Sequence, residues 1–179
     1  MINFDWLKRA KLVEMDYCYF KEDPVRPELD NKFRKEWGRK IFGLKLGKKT
    51  VAVMCFAFTH GIPKDIKELD LMSKDACMQA THRAGIQGNI AIAYTVWSKK
   101  KGGGKRIVQE VFKMVKKSHH LNRIVTLSPL TQMAKNFHTR NGAKLVKVNK
   151  TSQNFEYKIE DEWWENYLKQ AKNWFTLKR

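Results

Sequence analysis

The sequence predicts an α/β (α+β) protein: a mixed, mostly antiparallel central sheet flanked by helices, closed by a C-terminal amphipathic helix. Three observations carry that prediction. Two runs, Thr50–Thr59 (TVAVMCFAFT) and Asn89–Ser98 (NIAIAYTVWS), are almost wholly apolar or β-branched, the composition of strands buried on both faces. Apolar residues between and after them recur at helical spacing. The second run passes through Gly102-Gly103-Gly104 directly into a helical pattern.

Taken in order, the first twenty residues fit two readings, because Leu12, Val13, Met15 and Tyr17 suit a strand or part of a helix. Pro24 and Pro27 mark a turn. Leu29, Phe33 and Trp37 recur four apart and predict a short helix ending at Gly38. Ile41–Leu46 reads as a strand, Gly47-Lys48-Lys49 as a hairpin turn, and Thr50–Thr59 as its partner, ended by Gly61 and Pro63. Ile66, Leu69, Met72 and Cys77 allow a helix within 64–84. Gly85 and Gly88 then punctuate the chain before Asn89.

After the glycines, Val108, Val111, Phe112 and Val115 define a helix to about Ser118. Arg123–Leu127 reads as a short strand. Thr131–Asn141 reads as a helix with Leu130, Met133, Ala134 and Phe137 as its buried stripe. Ala143–Val148 and Asn154–Ile159 form a final strand pair. Asp161–Phe175 closes the chain as a helix with a stripe of Trp164, Tyr167, Leu168, Ala171 and Phe175, and Trp163 off it. Its acidic start and lysine-bearing end suit the helix dipole.

At 179 residues the chain suits one domain. Its parts are an N-terminal strand and helix region (1–40), a core (41–159) and the C-terminal helix (160–179). A hydrophobic content of 42% excludes a disordered chain. Three scattered cysteines without metal-ligand spacing imply neither a disulfide framework nor a metal site. They suit a reduced, cytoplasmic interior. No apolar stretch has the form of a secretory signal or approaches the ~18 residues of a membrane span. The net charge of +18 calls for an anionic partner: nucleic acid, another polyanion, a membrane surface or a phosphorylated ligand. Its local peaks are 34–40, 99–106 and 113–117.

A strand that enters a helix through glycines presents backbone N–H groups to phosphate oxygens. Lys105 and Arg106 place cations where the helix dipole disfavours them, an arrangement that a bound anion would resolve. The spacing is not a P-loop, and no acidic residue ends a following strand as dinucleotide binding requires.

Lys99, Gly102 and Gly104 resemble the R/Q-x-x-G-x-G/A pattern with which the GNAT acetyltransferase superfamily binds acyl-CoA, lysine replacing Arg/Gln. The element order from Ile41 to Ile159 resembles that fold as well. The resemblance implies coenzyme A or acyl-CoA as ligand, with its pyrophosphate held by Lys99, Lys101, Gly102, Gly103, Gly104, Lys105 and Arg106. Where those enzymes carry an aromatic-tyrosine pair that protonates the leaving thiolate, this chain has Phe137-His138. The acidic residue they often use as base in the fourth strand is also lacking.

Over residues 50–160 the chain more closely resembles the catalytic domain of malonyl-CoA decarboxylase. Cys55–His60 (CFAFTH) resembles its CFAFFH, and IAYTVW with the glycine loop its IFYSIS segment. Thr126–Pro129 (TLSP) resembles its SLSP, Asn136–Leu145 (NFHTRNGAKL) its NFHLQNGAxL, and Asn154–Tyr157 (NFEY) its NYRY. This implies Ser128 and His138 as the catalytic pair. Ser128 would hold the malonyl carboxylate, and His138, titrating near neutrality, would protonate the enolate. Asn136 or a backbone N–H would serve the enolate oxygen, and His60 would line the pocket. Two other functions fit the residues: acyl transfer, with His138 in place of tyrosine, to an amine of an anionic macromolecule; and a non-catalytic GNAT scaffold that binds nucleic acid.

Overall fold

The computed structural model describes residues 6–82, 87–118 and 120–158. In chain order the elements are α1 (Trp6–Arg9), β1 (Lys11–Met15), α2 (Asn31–Lys35), β2 (Lys40–Leu46), β3 (Lys49–Thr59) and α3 (Ile66–His82). There follow β4 (Ile90–Ser98), α4 (Gly103–Lys116), β5 (Arg123–Thr126), β6 (Ser128–Pro129), α5 (Gln132–Arg140), β7 (Lys144–Val148) and β8 (Ser152–Tyr157). The predicted helix at 161–175, with Trp163, lies outside the described residues, as does His119. No helix among the described residues is long and apolar enough to cross a membrane.

The two apolar runs are β3 and β4, antiparallel neighbours inside an eight-stranded sheet of order β1-β2-β3-β4-β5-β8-β6, with β7 on β8. Their lack of polar alternation has a packing cause. Ala52, Met54 and Phe56 of β3 meet Ile107, Val111 and Val115 of α4 on one face. Val53, Cys55 and Ala57 meet Leu69 of α3 and Ile92, Tyr94 and Trp97 of β4 on the other. Successive side chains alternate between faces, so a strand covered on both sides is apolar throughout.

Strands β4 and β5 form a parallel pair joined by α4 as the crossover, and every other pairing is antiparallel. Their ladder runs from Ile90↔Arg123 to Ala93↔Thr126 and stops there. Its last bond is Leu127 N–H to Ala93 O, 2.9 Å. On the other side of β4 the register with β3 steps from Thr95↔Cys55 to Ala93↔Phe56 and skips Tyr94. A bulge of this kind bends its strand. Beyond Ala93 the two strands part and leave a wedge.

Several expectations shift at their edges. The helix at Leu29–Trp37 shrinks to Asn31–Lys35, because Asp30 caps it by accepting the Phe33 N–H at 2.8 Å and Trp37 has a left-handed φ of 53°. The ambiguous N-terminus divides into α1 and β1. The last strand begins at Ser152, earlier than Asn154, and the two-residue β6 is additional. The basic peak at 34–40 is partly interior: Arg34 and Arg39 are buried. Arg34 Nη2 donates to Asp23 Oδ2 at 2.8 Å, and Thr95 Oγ1 donates to the same oxygen at 2.7 Å. This buried pair ties the loop after β1 to the parted end of β4.

Candidate active site

The wedge encloses a cavity of about 340 Å³. One wall is β4 from Ala93 to Ser98 with Lys99 after it, and the other is Leu127, Ser128 and Pro129. Met133, Ala134, Phe137 and His138 of α5 roof it, Gly104 lies at one end, and Pro24 and Val25 close the side. The apolar stripe expected to be buried in α5 is therefore open, with Met133 76% exposed. Met133, Ala134 and Phe137 of that stripe line the cavity, Phe137 packing against the core as well, and His138 is the buried residue of the helix.

Ser128 and His138, ten positions apart in sequence, meet in this wall: Ser128 Oγ lies 2.9 Å from His138 Nε2. The contact belongs to a longer chain. Ser128 Oγ donates to Thr126 Oγ1 at 3.0 Å, and Thr126 Oγ1 also accepts the Phe155 N–H at 3.1 Å. On the far side His138 Nδ1 lies 2.9 Å from the Tyr157 hydroxyl. The imidazole stacks on Phe155 at 5.2 Å between centroids.

This order assigns the protons. Tyr157 is buried, and Nδ1 is the hydrogen-bond partner of its hydroxyl among the described residues, so Tyr157 donates to Nδ1. Nε2 then carries the imidazole proton and donates to Ser128, whose own proton points to Thr126. A serine nucleophile with a histidine base needs the reverse direction. Burial lowers the His138 pKa to about 4 and raises that of Tyr157. The expectation that His138 titrates near neutrality is thus corrected: desolvation keeps the ring neutral.

The glycine loop adjoins the same cavity. Gly102 has φ +87°, a left-handed conformation that suits glycine, and a Cβ on Gly103 would stand 2.4 Å from Ser98 Oγ. A Cβ on Gly104 would press on the Phe137 ring at 3.3 Å, so its absence lets the first turn of α4 pack under α5. Lys99 lines the cavity, ion-paired to Glu22. Lys101 and Lys105 are exposed beside it. Arg106 is drawn one turn along α4, where Nη2 meets Glu110 at 3.0 Å, an i,i+4 attraction that competes with an anion at the helix start.

Two expected residues fall elsewhere. Asn136 is exposed and accepts from Gln132 Nε2 at 2.8 Å. Two positions from His138 is about 200° around the helix, which turns it away from the cavity. His60 is exposed after Thr59, which pairs with Ile90 at the start of β4, whereas the cavity lies along the end of β4.

No family model matches the sequence, and no curated protein matches it. Solved structures match in architecture. The loading GNATL domain of CurA from Lyngbya majuscula has a TM-score of 0.60 and 14% identity, over 84% of this chain and 98% of that one. This chain has the GNAT fold. An acetyltransferase from Bacillus subtilis, in complex with CoA, has a TM-score of 0.57 and 9% identity over 83% of this chain and 98% of its own. The GphF GNAT-like decarboxylase, in complex with isobutyryl-CoA, has a TM-score of 0.52 and 10% identity over 67% and 78%.

Within this GNAT sheet, the residues that sequence reasoning missed are those whose role depends on pairing. Tyr157 and Phe155 stood in the NFEY motif and Thr126 in TLSP, but nothing local marked them as neighbours of His138. Register supplies that: β8 pairs with β5 through Ile124↔Tyr157 and with β6 through Ser128↔Gln153.

Proposed function

We propose that this protein is an acyl-CoA enzyme that decarboxylates malonyl-CoA to acetyl-CoA. The observation that carries the reading is the 2.9 Å Ser128–His138 contact in the wall of a cavity that also reaches Gly104 and Lys99. Acyl-CoA lies with its phosphates at the α4 start and its thioester in the wedge.

The chemistry follows from what surrounds the carboxylate. Ser128 Oγ accepts from His138 Nε2, and its own hydroxyl proton turns to hold the substrate carboxylate. The wall is mainly apolar, which favours neutral CO2 over the carboxylate it comes from. A neutral imidazole adds no cation that would stabilise the carboxylate. The C–C bond to the carboxylate breaks, its electron pair passes into the thioester enolate, and CO2 leaves. A thioester enolate is a stronger base than an imidazole anion. Nε2–H can therefore stabilise the enolate by hydrogen bonding and then protonate its carbon, as neutral histidine electrophiles do. Water restores the Nε2 proton. The sum is malonyl-CoA plus one proton giving acetyl-CoA plus CO2.

The test is mass spectrometry after incubation with a panel of acyl-CoAs. Malonyl-CoA should yield acetyl-CoA, and His138→Ala and Ser128→Ala should each abolish the product. Tight CoA binding without turnover of malonyl-CoA by the native protein sinks the reading.

A further inference from the structure

Two residues at the start of the wedge lie outside the strand registers. Tyr94 is the residue skipped by the β3–β4 register, and Leu127 follows the last β4–β5 pair. Both residues are buried, so an unpaired carbonyl on either would be costly. One side chain serves both. Arg26 Nε donates to Tyr94 O at 2.9 Å, and Arg26 Nη2 donates to Leu127 O at 3.0 Å.

We infer that Arg26 is a positioning residue that holds the wedge open and fixes the backbone immediately before Ser128. Continued pairing of β4 with β5 would satisfy Leu127 O from within the sheet and close the cavity. The guanidinium fork replaces that pairing, with two donors in one plane spanning both strands. Arg26 is itself held from behind. Its N–H donates to Asp23 Oδ1 at 3.2 Å, and its carbonyl accepts from Arg34 Nη2 at 2.8 Å. Pro24 and Val25, just before it, line the cavity, so the same loop forms the wall and pins the fork. Since the loop that receives the CoA phosphates lies on α4, Arg26 governs rate through Ser128 and not affinity for CoA.

This inference rests on the acyl-thioester reading of the wedge. Arg26→Ala should lower kcat by about 100-fold, the scale of a misplacement near 1 Å, with KM changed less than about threefold. Arg26→Lys should recover about a tenth of the native rate, since an ammonium cannot match a planar fork. Added guanidinium ion at millimolar concentration should raise the rate of Arg26→Ala and leave Ser128→Ala inert. Unchanged kcat in Arg26→Ala, or a loss confined to KM, overturns the inference. An activity-free readout separates it from the functional reading: the His138 ring resonances followed by NMR, which report the 2.9 Å contact with Ser128. Displacement of Ser128 should move those resonances in Arg26→Ala. If they stay where the native protein has them, the inference fails whether or not any acyl-CoA turns over.

Discussion

Acid should weaken this fold through His138 over a defined window. The folded ring titrates at about 4 because it is buried, against 6.5 for a free histidine. Between those values the unfolded chain binds a proton at His138 and the folded chain does not. Stability therefore falls as pH drops from 6.5 towards 4, and it is full above 6.5. At about 1.4 kcal/mol for each tenfold change in proton affinity, the full loss is about 3 kcal/mol, with about 2 kcal/mol gone at pH 5. The assay is urea unfolding of the native protein and of His138→Gln between pH 7.5 and 4.5, read as the difference between them at each pH. The native protein should lose its advantage over the variant as the pH falls. A difference independent of pH, or a ring titration near 6.5 by NMR, refutes the claim that His138 is held neutral by burial. The same neutrality predicts that malonyl-CoA turnover has no histidine inflection between pH 8 and 5.5.

Removing the hydroxyl in Tyr157→Phe leaves His138 Nδ1 buried without its partner and should cost about 1–3 kcal/mol in urea unfolding, with slower acetyl-CoA formation; no change in either overturns the proton assignment. Gly103→Ala drives a methyl into Ser98 Oγ and should cost about 1–3 kcal/mol while weakening CoA binding by calorimetry. A variant as stable as the native protein would mean that the strand-to-helix junction gives way easily. Asp23→Asn leaves the Arg34 charge uncompensated inside the protein, with an expected loss of about 3–5 kcal/mol in a thermal or urea melt. A loss below about 1 kcal/mol would show that this pair does not anchor the loop.

Much of the fold was legible because its signals are local. β3 and β4 announce themselves by unbroken apolar runs, α4 by its four-residue spacing, and the junction between β4 and α4 by three glycines. Part of the candidate site was legible for the same reason: TLSP and NFHTRNGAKL are short continuous segments, the first at the step from β5 to β6 and the second from α5 into β7. Arg34 and Arg39 were illegible. In sequence they belong to a run of cations, and only tertiary packing places Arg34 of α2 inside beside Asp23 and Arg39, just before β2, inside beside Asp70. The stripe of α5 misled because helical spacing reveals an apolar face without saying whether it meets a core or a cavity.

The sequence by itself determined the element types, the glycine junction and the residue types of the candidate pair. Tertiary structure alone decided that Ser128 and His138 touch, that the imidazole is neutral, and that a wedge lies between β4 and β5. The physical reason is range. Propensity and periodicity act within a few residues. Burial, proton affinity and the accounting of unpaired carbonyls act across the sheet, as when Arg26 bridges carbonyls 68 and 101 positions away.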